Sequence, residues 1–239
     1  MNPVDTNSFT SVSSHQVYSI LASGLNYSYQ SGVCRTDILK DISLHVNPAE
    51  FVSLVGPSGC GKTTLMTLVG GLKSPQSGSL KVLGHELNGC TDRELRVVRS
   101  KIGIIFQAHH LMEFLTAAQN VQIAMEASPQ ISFRERVRRS RVLLQLVGLE
   151  GKESYFPSML SGGQKQRVAC ARAMASEPLL ILADEPTASL DRHTGQELIL
   201  AMKEIAHKQG ISMLMATHDS RVMDLADRII QIDDGRIVS

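Results

Sequence analysis

Between an apolar stretch and a helical pattern that runs on through Gly71 lie Gly56, Pro57, Ser58, Gly59, Cys60, Gly61, Lys62 and Thr63, with Thr64 behind them. The spacing fits G-x-x-x-x-G-K-[ST], and Glu50 to Gly56 (EFVSLVG) reads as a strand that ends in a Gly-rich turn and opens a helix. That order matters, because glycines let the backbone curl until successive N–H groups face one anion, and the helix N-terminus adds partial positive charge. The ligand implied is a nucleotide: Lys62 reaches its β and γ phosphates and Thr63 coordinates Mg²⁺. Average residue usage puts a chance match at about one chain in 100 of this length.

The flanking patterns agree with an α/β fold. From Val17 to Val46, short alternating runs such as Ile42, Leu44 and Val46 predict an N-terminal antiparallel β subdomain. Between about 85 and 160, helical patterns at Thr91–Lys101, Thr116–Ala127 and Ser132–Val147 follow one another with one strand-like run, Ile102–Phe106. They predict an inserted helical subdomain. Alternation then resumes: helix Gly162–Ser176, strand Leu179–Asp184, helix Asp191–Gln209, strand Ile211–Ala216, helix Ser220–Ala226, strand Arg228–Ile232, and a turn at Asp233-Asp234-Gly235 into a last short strand. This predicts a parallel sheet core. Residues 1 to about 15 carry six Ser or Thr and one charge, Asp5, and are expected to form a mobile tail outside a single domain at 16–239.

Composition excludes several classes. Apolar runs such as Leu179–Ala183 reach about five residues, far from the ~20 of a membrane-spanning helix. The first 34 residues hold no Lys or Arg and no apolar core, so a cleavable secretory signal is not expected. With 24 basic against 23 acidic residues, the chain lacks the surplus of a general nucleic-acid binder. Four scattered cysteines, Cys34, Cys60, Cys90 and Cys170, suit a reducing compartment, and the cytoplasm is the expected address. Charge is uneven, however: segment 85–165 holds 11 basic and 8 acidic residues, 180–239 holds 6 and 10. Arg134, Arg136, Arg138, Arg139 and Arg141 crowd one helix, a pattern that fits a solvated face, with lipid headgroups or a partner as the alternative.

Three further constellations carry chemistry. Leu179 to Glu185 is an apolar strand that delivers Asp184 and Glu185 at its C-terminal end, where ligands of α/β sheets bind. Asp184 would hold Mg²⁺, and Glu185, pointing elsewhere, would polarise a water for attack on the γ-phosphorus. Leu160-Ser161-Gly162-Gly163-Gln164 contains a capping box, Ser161 with Gln164, yet a cap alone does not call for two glycines. Gly162 and Gly163 allow close backbone approach, so this helix end too can receive an anion. One γ-phosphate held between the two helix ends predicts a head-to-tail pair of chains. Gln107 and His218 each follow an apolar strand; the adjacent His109 and His110, without further ligands, read as loop residues rather than a metal site.

Over about residues 17–238 the chain resembles the ATP-binding subunit of ABC transporters, with five motifs in the family's order. The resemblance implies a P-loop NTPase of ABC type that binds ATP and Mg²⁺. It assigns Gly56 to Thr64 to the Walker A loop, Gln107 to the Q-loop, and Leu160–Gln164 to the signature that contacts the partner's ATP. Asp184 and Glu185 match Walker B, Ser189-Leu190-Asp191 the D-loop, and His218 the switch histidine at the γ-phosphate. Glu185, His218 and Gln107 are then the expected catalytic set, and Thr63, Gln107 and Asp184 the magnesium ligands. Tyr29, preferred to Tyr27, falls where the family stacks an aromatic on adenine.

The run Phe106 to Val121, with Arg99–Phe106, resembles ATPases of the macrolide and lipoprotein exporter type, and most closely the DevA group implied in cyanobacterial glycolipid export. This implies a homodimer bound to a separate membrane permease at the cytoplasmic face of the plasma membrane, with a periplasmic adaptor beyond it. Leu111, Phe114 and Leu115 are candidate contacts in the groove that grips a permease helix. The rival is a regulator that drives envelope or division enzymes through a membrane partner. Two positions depart from the family pattern: Ala49 stands where a turn glycine is common, and Cys60 places a thiol beside the phosphates, where alkylation would disturb ATP binding.

Overall fold

The computed structural model describes residues 18–32, 34–126, 128 and 130–238, so the expected tail lies outside the described residues. Alternation of apolar and polar positions produces the first sheet. Ile20–Ser31 (β1) and Cys34–Val46 (β2) pair antiparallel, Ile20 opposite Val46 and Tyr29 opposite Thr36. Leu39, Ile42, Leu44 and Val46 turn one face of β2 inward. Phe51–Val55 (β3) leaves for a second sheet, and the helix Lys62–Val69 (α1) follows the glycine loop. Ser77–Val82 (β4) and His85–Glu86 (β5), unassigned in the sequence reading, then return to the first sheet and give the order β2-β1-β4-β5. Their signal was weak because β4 offers only Leu80 and Val82 as buried apolar residues.

From α2 to α5, each α-helix starts with a side-chain cap. Thr91 with Glu94 opens Asp92–Arg99 (α2), and, after Ile102–Ile105 (β6), Thr116 with Gln119 opens Ala117–Gln122 (α3), which tightens into a 3-10 turn at Ile123–Met125. Ser132 caps Phe133–Leu146 (α4), and Ser161 with Gln164 opens Gly162–Met174 (α5). Each such cap contributes about 1 kcal/mol by satisfying an orphan N–H. The arginine-rich α4 spends much of its charge internally: Glu135 pairs with Arg138 at 2.6 Å and Arg139 at 2.7 Å, and Arg139 also reaches Glu177. Those guanidiniums, Arg138 first, hold the Glu135 carboxyl at about 2. The solvated-face reading fits this better than a lipid site.

Leu180–Asp184 (β7), Arg192–Gln209 (α6), Ser212–Ala216 (β8), Ser220–Met223 (α7), Arg228–Asp233 (β9) and Arg236–Ile237 (β10) complete the second sheet, in the order β10-β9-β3-β8-β7-β6. Its pairs are parallel except β9 with β10. Both faces of β3, β7 and β8 are buried, and side chains alternate between two cores. Leu180, Leu182, Leu214 and Ala216 pack towards α1 and the first sheet, whereas Ile181, Ala183, Met213 and Met215 pack towards the helical side with Val168, Leu198 and Met202. Because β3, β8, β7 and β6 run in one direction, the loops after all four emerge at one edge.

Ala49 shows what its departure from glycine means. Its φ is 58°, and its N–H donates to Ser212 Oγ at 3.0 Å, so the left-handed turn is kept with an alanine in it. The Cβ clash costs roughly 1–2 kcal/mol, partly offset by the lower entropy of the unfolded alanine chain. Ala49→Gly is therefore expected to stabilise by about 0.5–1 kcal/mol and raise Tm by about 1–4 °C in a thermal melt. An unchanged or lower Tm contradicts this account of the turn.

Candidate active site

The glycine loop has its shape because side chains do not fit in it. A Cβ on Gly56 would stand 2.0 Å from Ile232 O, and one on Gly61, at φ 109°, 2.7 Å from Leu39 Cδ2. The loop therefore folds tightly between β9 and β2, and Lys62 curls over its mouth, donating to Gly56 O at 2.8 Å and Pro57 O at 2.9 Å. An ammonium held there places a full positive charge where the loop amides and the α1 N-terminus converge. A cavity of about 470 Å³ opens above it, of a size suited to a small-molecule ligand. Gly56, Ser58, Gly59, Gly61, Lys62, Thr63 and Thr64 form one wall.

The opposite wall comes from the C-terminal end of β7 and the loops after β6, β7 and β8, which deliver Asp184, Gln107, Glu185 and His218. Thr63 Oγ1 donates to Asp184 Oδ2 at 2.7 Å, so a hydroxyl and a carboxylate from different elements converge on one point. With the Gln107 amide nearby, the donor set is all oxygen and supplied by few protein groups, which fits Mg²⁺ completed by phosphates and water. Glu185 is turned away from Asp184 by an uncommon backbone: its φ is 48°, fixed by its N–H donating to Ala216 O at 2.9 Å. Such a conformation costs about 1–3 kcal/mol and is concentrated at functional sites. It sets Glu185 Oε1 2.9 Å from His218 Nδ1. The carboxylate thus has a fixed partner, and the water-facing side of the pair opens on the cavity.

Not every expected residue lines this cavity. Pro57 contributes its carbonyl to Lys62 instead, and Cys60 turns inward, 6% exposed, with Sγ 3.8 Å from Lys62 Nζ. Its thiol is next to the loop but shielded, so alkylation is disfavoured. Tyr29 stands at the end of β1, 41% exposed, while Tyr27 packs partly against the core. Hydrogen bonding from Lys73, and then contact with Thr64, lowers the Tyr29 phenol below its ordinary range. Ser161, Gly162, Gly163 and Gln164 lie at the α5 N-terminus, outside the cavity lining; Ser161 and Gly162 are exposed. Gly163 has a local reason to be glycine as well, since a Cβ there would meet Leu190 Cδ2 at 2.8 Å.

Sequence reasoning missed Ile38, which enters the cavity wall from β2. It also missed a second cleft, about 590 Å³, lined by Arg96, Arg99 and Arg172 over an apolar floor of Ile102, Ile104 and Phe106. Leu111, Phe114 and Leu115 do not line it. Phe114 is 77% exposed, and Leu111 packs partly against the helical core.

A family model described as ABC transporter matches residues 39–188. A macrolide export ATP-binding/permease protein of Mannheimia succiniciproducens is 43% identical over 216 residues, 90% of this chain and 33% of the relative. The chain thus spans about a third of the length of the macrolide exporters it matches. An ABC transporter ATP-binding protein of Thermotoga maritima is 41% identical, with 87% of this chain and 89% of the relative covered. Among solved structures, the dimeric post-hydrolysis state of the ATP-binding cassette MJ0796, bound to ADP and Pi, superposes with a TM-score of 0.88 at 35% identity, covering 92% of this chain and 97% of that one. Matched in sequence and fold over most of its length, the chain belongs to the ABC transporter family and carries that family's ATP-hydrolysing domain.

Proposed function

We propose that this chain is the ATP-hydrolysing subunit of an exporter, and that two copies close head to tail around two Mg-ATP. The observation that carries the reading is the convergence of Lys62, Thr63, Gln107, Asp184, Glu185 and His218 on one cavity. Lys62 and the loop amides bind the phosphates, and Thr63, Asp184 and Gln107 hold Mg²⁺, which when bound neutralises charge on the phosphates. Glu185 takes a proton from the attacking water, and His218 keeps that carboxylate in place. One wall of the reaction space is left to a second chain: the signature residues 161–164 begin α5 outside this cavity, and the MJ0796 cassette is dimeric.

Export is supported by the macrolide export relatives, in which an ATP-binding part and a permease share one chain. The membrane part in this reading is an integral permease; no helix of the described residues is itself long and apolar enough to cross a membrane. The arginine-lined cleft fits an amphipathic permease segment whose apolar ridge carries carboxylates. In this reading the chain works at the cytoplasmic face of the plasma membrane. A lipid or glycolipid cargo and a periplasmic adaptor are the narrower form of the reading. The rival, a regulator acting through a membrane partner on envelope enzymes, uses the same catalytic machinery. A neighbouring open reading frame for a few-helix permease with an adaptor supports export; one for a cell-wall regulator supports the rival.

The purified chain is expected to release inorganic phosphate from ATP in the presence of Mg²⁺ and to stop when EDTA removes the metal. A chain that releases none, or that ignores EDTA, overturns the catalytic reading.

A further inference from the structure

We propose that Lys73 is a positioning residue for the nucleotide base: it fastens Tyr29 to the helix that carries the phosphate loop and leaves one ring face free for a purine. This rests on the reading that Tyr29 stacks on adenine. The need for a fastener follows from the sheet. Pairing of β1 with β4 ends at Asn26 opposite Ser77, so beyond that point β1 has no strand on this side. Gln76 replaces the missing ladder with a side chain: its Oε1 accepts from Ser28 N at 2.7 Å and its Nε2 donates to Ser28 O at 2.8 Å. One residue further out, Tyr29 is left on an exposed strand end, where an unsupported ring would exchange rotamers freely.

Lys73 removes that freedom. Its Nζ donates to the Tyr29 hydroxyl and lies 4.1 Å from the ring centroid, and it lies 5.6 Å from that of Tyr27. Tyr27 meets Tyr29 edge to face, with centroids 5.3 Å apart, and is itself held by the core. The Tyr29 ring is therefore held by a cation and an aromatic neighbour, while the residue as a whole stays 41% exposed. The backbone of Lys73 is tied to α1 in turn: Leu72 N and Lys73 N both donate to Thr67 O, at 2.9 and 3.3 Å. Since α1 begins at Lys62, the groups that bind phosphate and the residue that sets the ring are joined by one short helix. The distance between the phosphate site and the base platform is fixed before nucleotide arrives, which lowers the ordering cost of binding.

The test separates base from phosphate recognition in the full chain. Lys73→Met keeps the stem and removes the charge and donor; Tyr29→Ala removes the platform. Each variant, and the double variant, is titrated with Mg-ATP and with inorganic tripolyphosphate, which occupies the phosphate loop and carries no base. Lys73→Met is expected to weaken ATP binding about 2–5-fold, the scale of an exposed cation–π contact, to leave tripolyphosphate binding unchanged, and to add nothing on the Tyr29→Ala background. If Tyr29→Ala weakens ATP binding and Lys73→Met does not, the role of Lys73 is refuted while the platform stands. Equal weakening of both ligands by Lys73→Met assigns it a general structural role and also overturns the proposal. If Tyr29→Ala leaves ATP affinity unchanged, the platform reading itself fails.

Discussion

Glu185→Gln is expected to lower ATP turnover by about 10²–10⁴-fold, the range for removal of a general base, while Mg-ATP still binds. Glutamine keeps the size of the side chain and can keep a hydrogen bond to His218, which stands 2.9 Å from Glu185 Oε1. What it loses is the ability to accept a proton from the attacking water. The other binding groups are untouched, since the Lys62 and Thr63–Asp184 contacts do not involve Glu185. Phosphate release at saturating ATP reads the chemical step, and nucleotide retention on a desalting column reads binding. A variant within tenfold of the parent in turnover would show that Glu185 is not the base.

Ser161→Arg is expected to cost at least about 100-fold in turnover, comparable to losing a preorganised donor at the reacting group, without changing nucleotide affinity of the isolated chain. The split follows from geometry: Ser161 caps α5 outside the cavity that Lys62, Asp184 and Glu185 surround. A long cation at that exposed helix end blocks approach of a partner's phosphate site. Loss of the cap itself costs only about 1 kcal/mol, so the chain should still fold. Unchanged circular dichroism and unchanged ATP affinity, with turnover at least about 100-fold lower, is the expected set. Turnover that survives in Ser161→Arg contradicts a composite site.

How much of this was readable in advance depends on what fixes each residue. The loop Gly56–Thr63 and the pair Asp184-Glu185 were legible because phosphate and metal chemistry dictates residue type and spacing together. The parallel core was legible from strands that are apolar on both faces, such as Leu180 to Ala183. Other features are set by distant parts of the chain. The left-handed backbone of Glu185 depends on its bond to Ala216 O, and Ile38 enters the cavity wall through the irregular pairing of β1 with β2, which shifts register three times. Arg96, Arg99 and Arg172 are far apart in sequence, and only folding gathers them in one cleft. Adjacency to Lys62 was readable for Cys60, but burial was not, because the thiol's direction is set by packing at the loop.

Two anion-seeking helix ends, at Gly61 and Gly162, lie in one molecule but not in one cavity, and a head-to-tail pair of chains would bring them together on one phosphate. Light scattering on Glu185→Gln with and without Mg-ATP measures that pairing most directly, with Glu185→Gln/Ser161→Arg alongside. Glu185→Gln is expected to double its mass on adding Mg-ATP, and the double variant to bind ATP yet stay monomeric. A Glu185→Gln chain that remains monomeric at saturating Mg-ATP, or a dimer indifferent to Ser161→Arg, would contradict it.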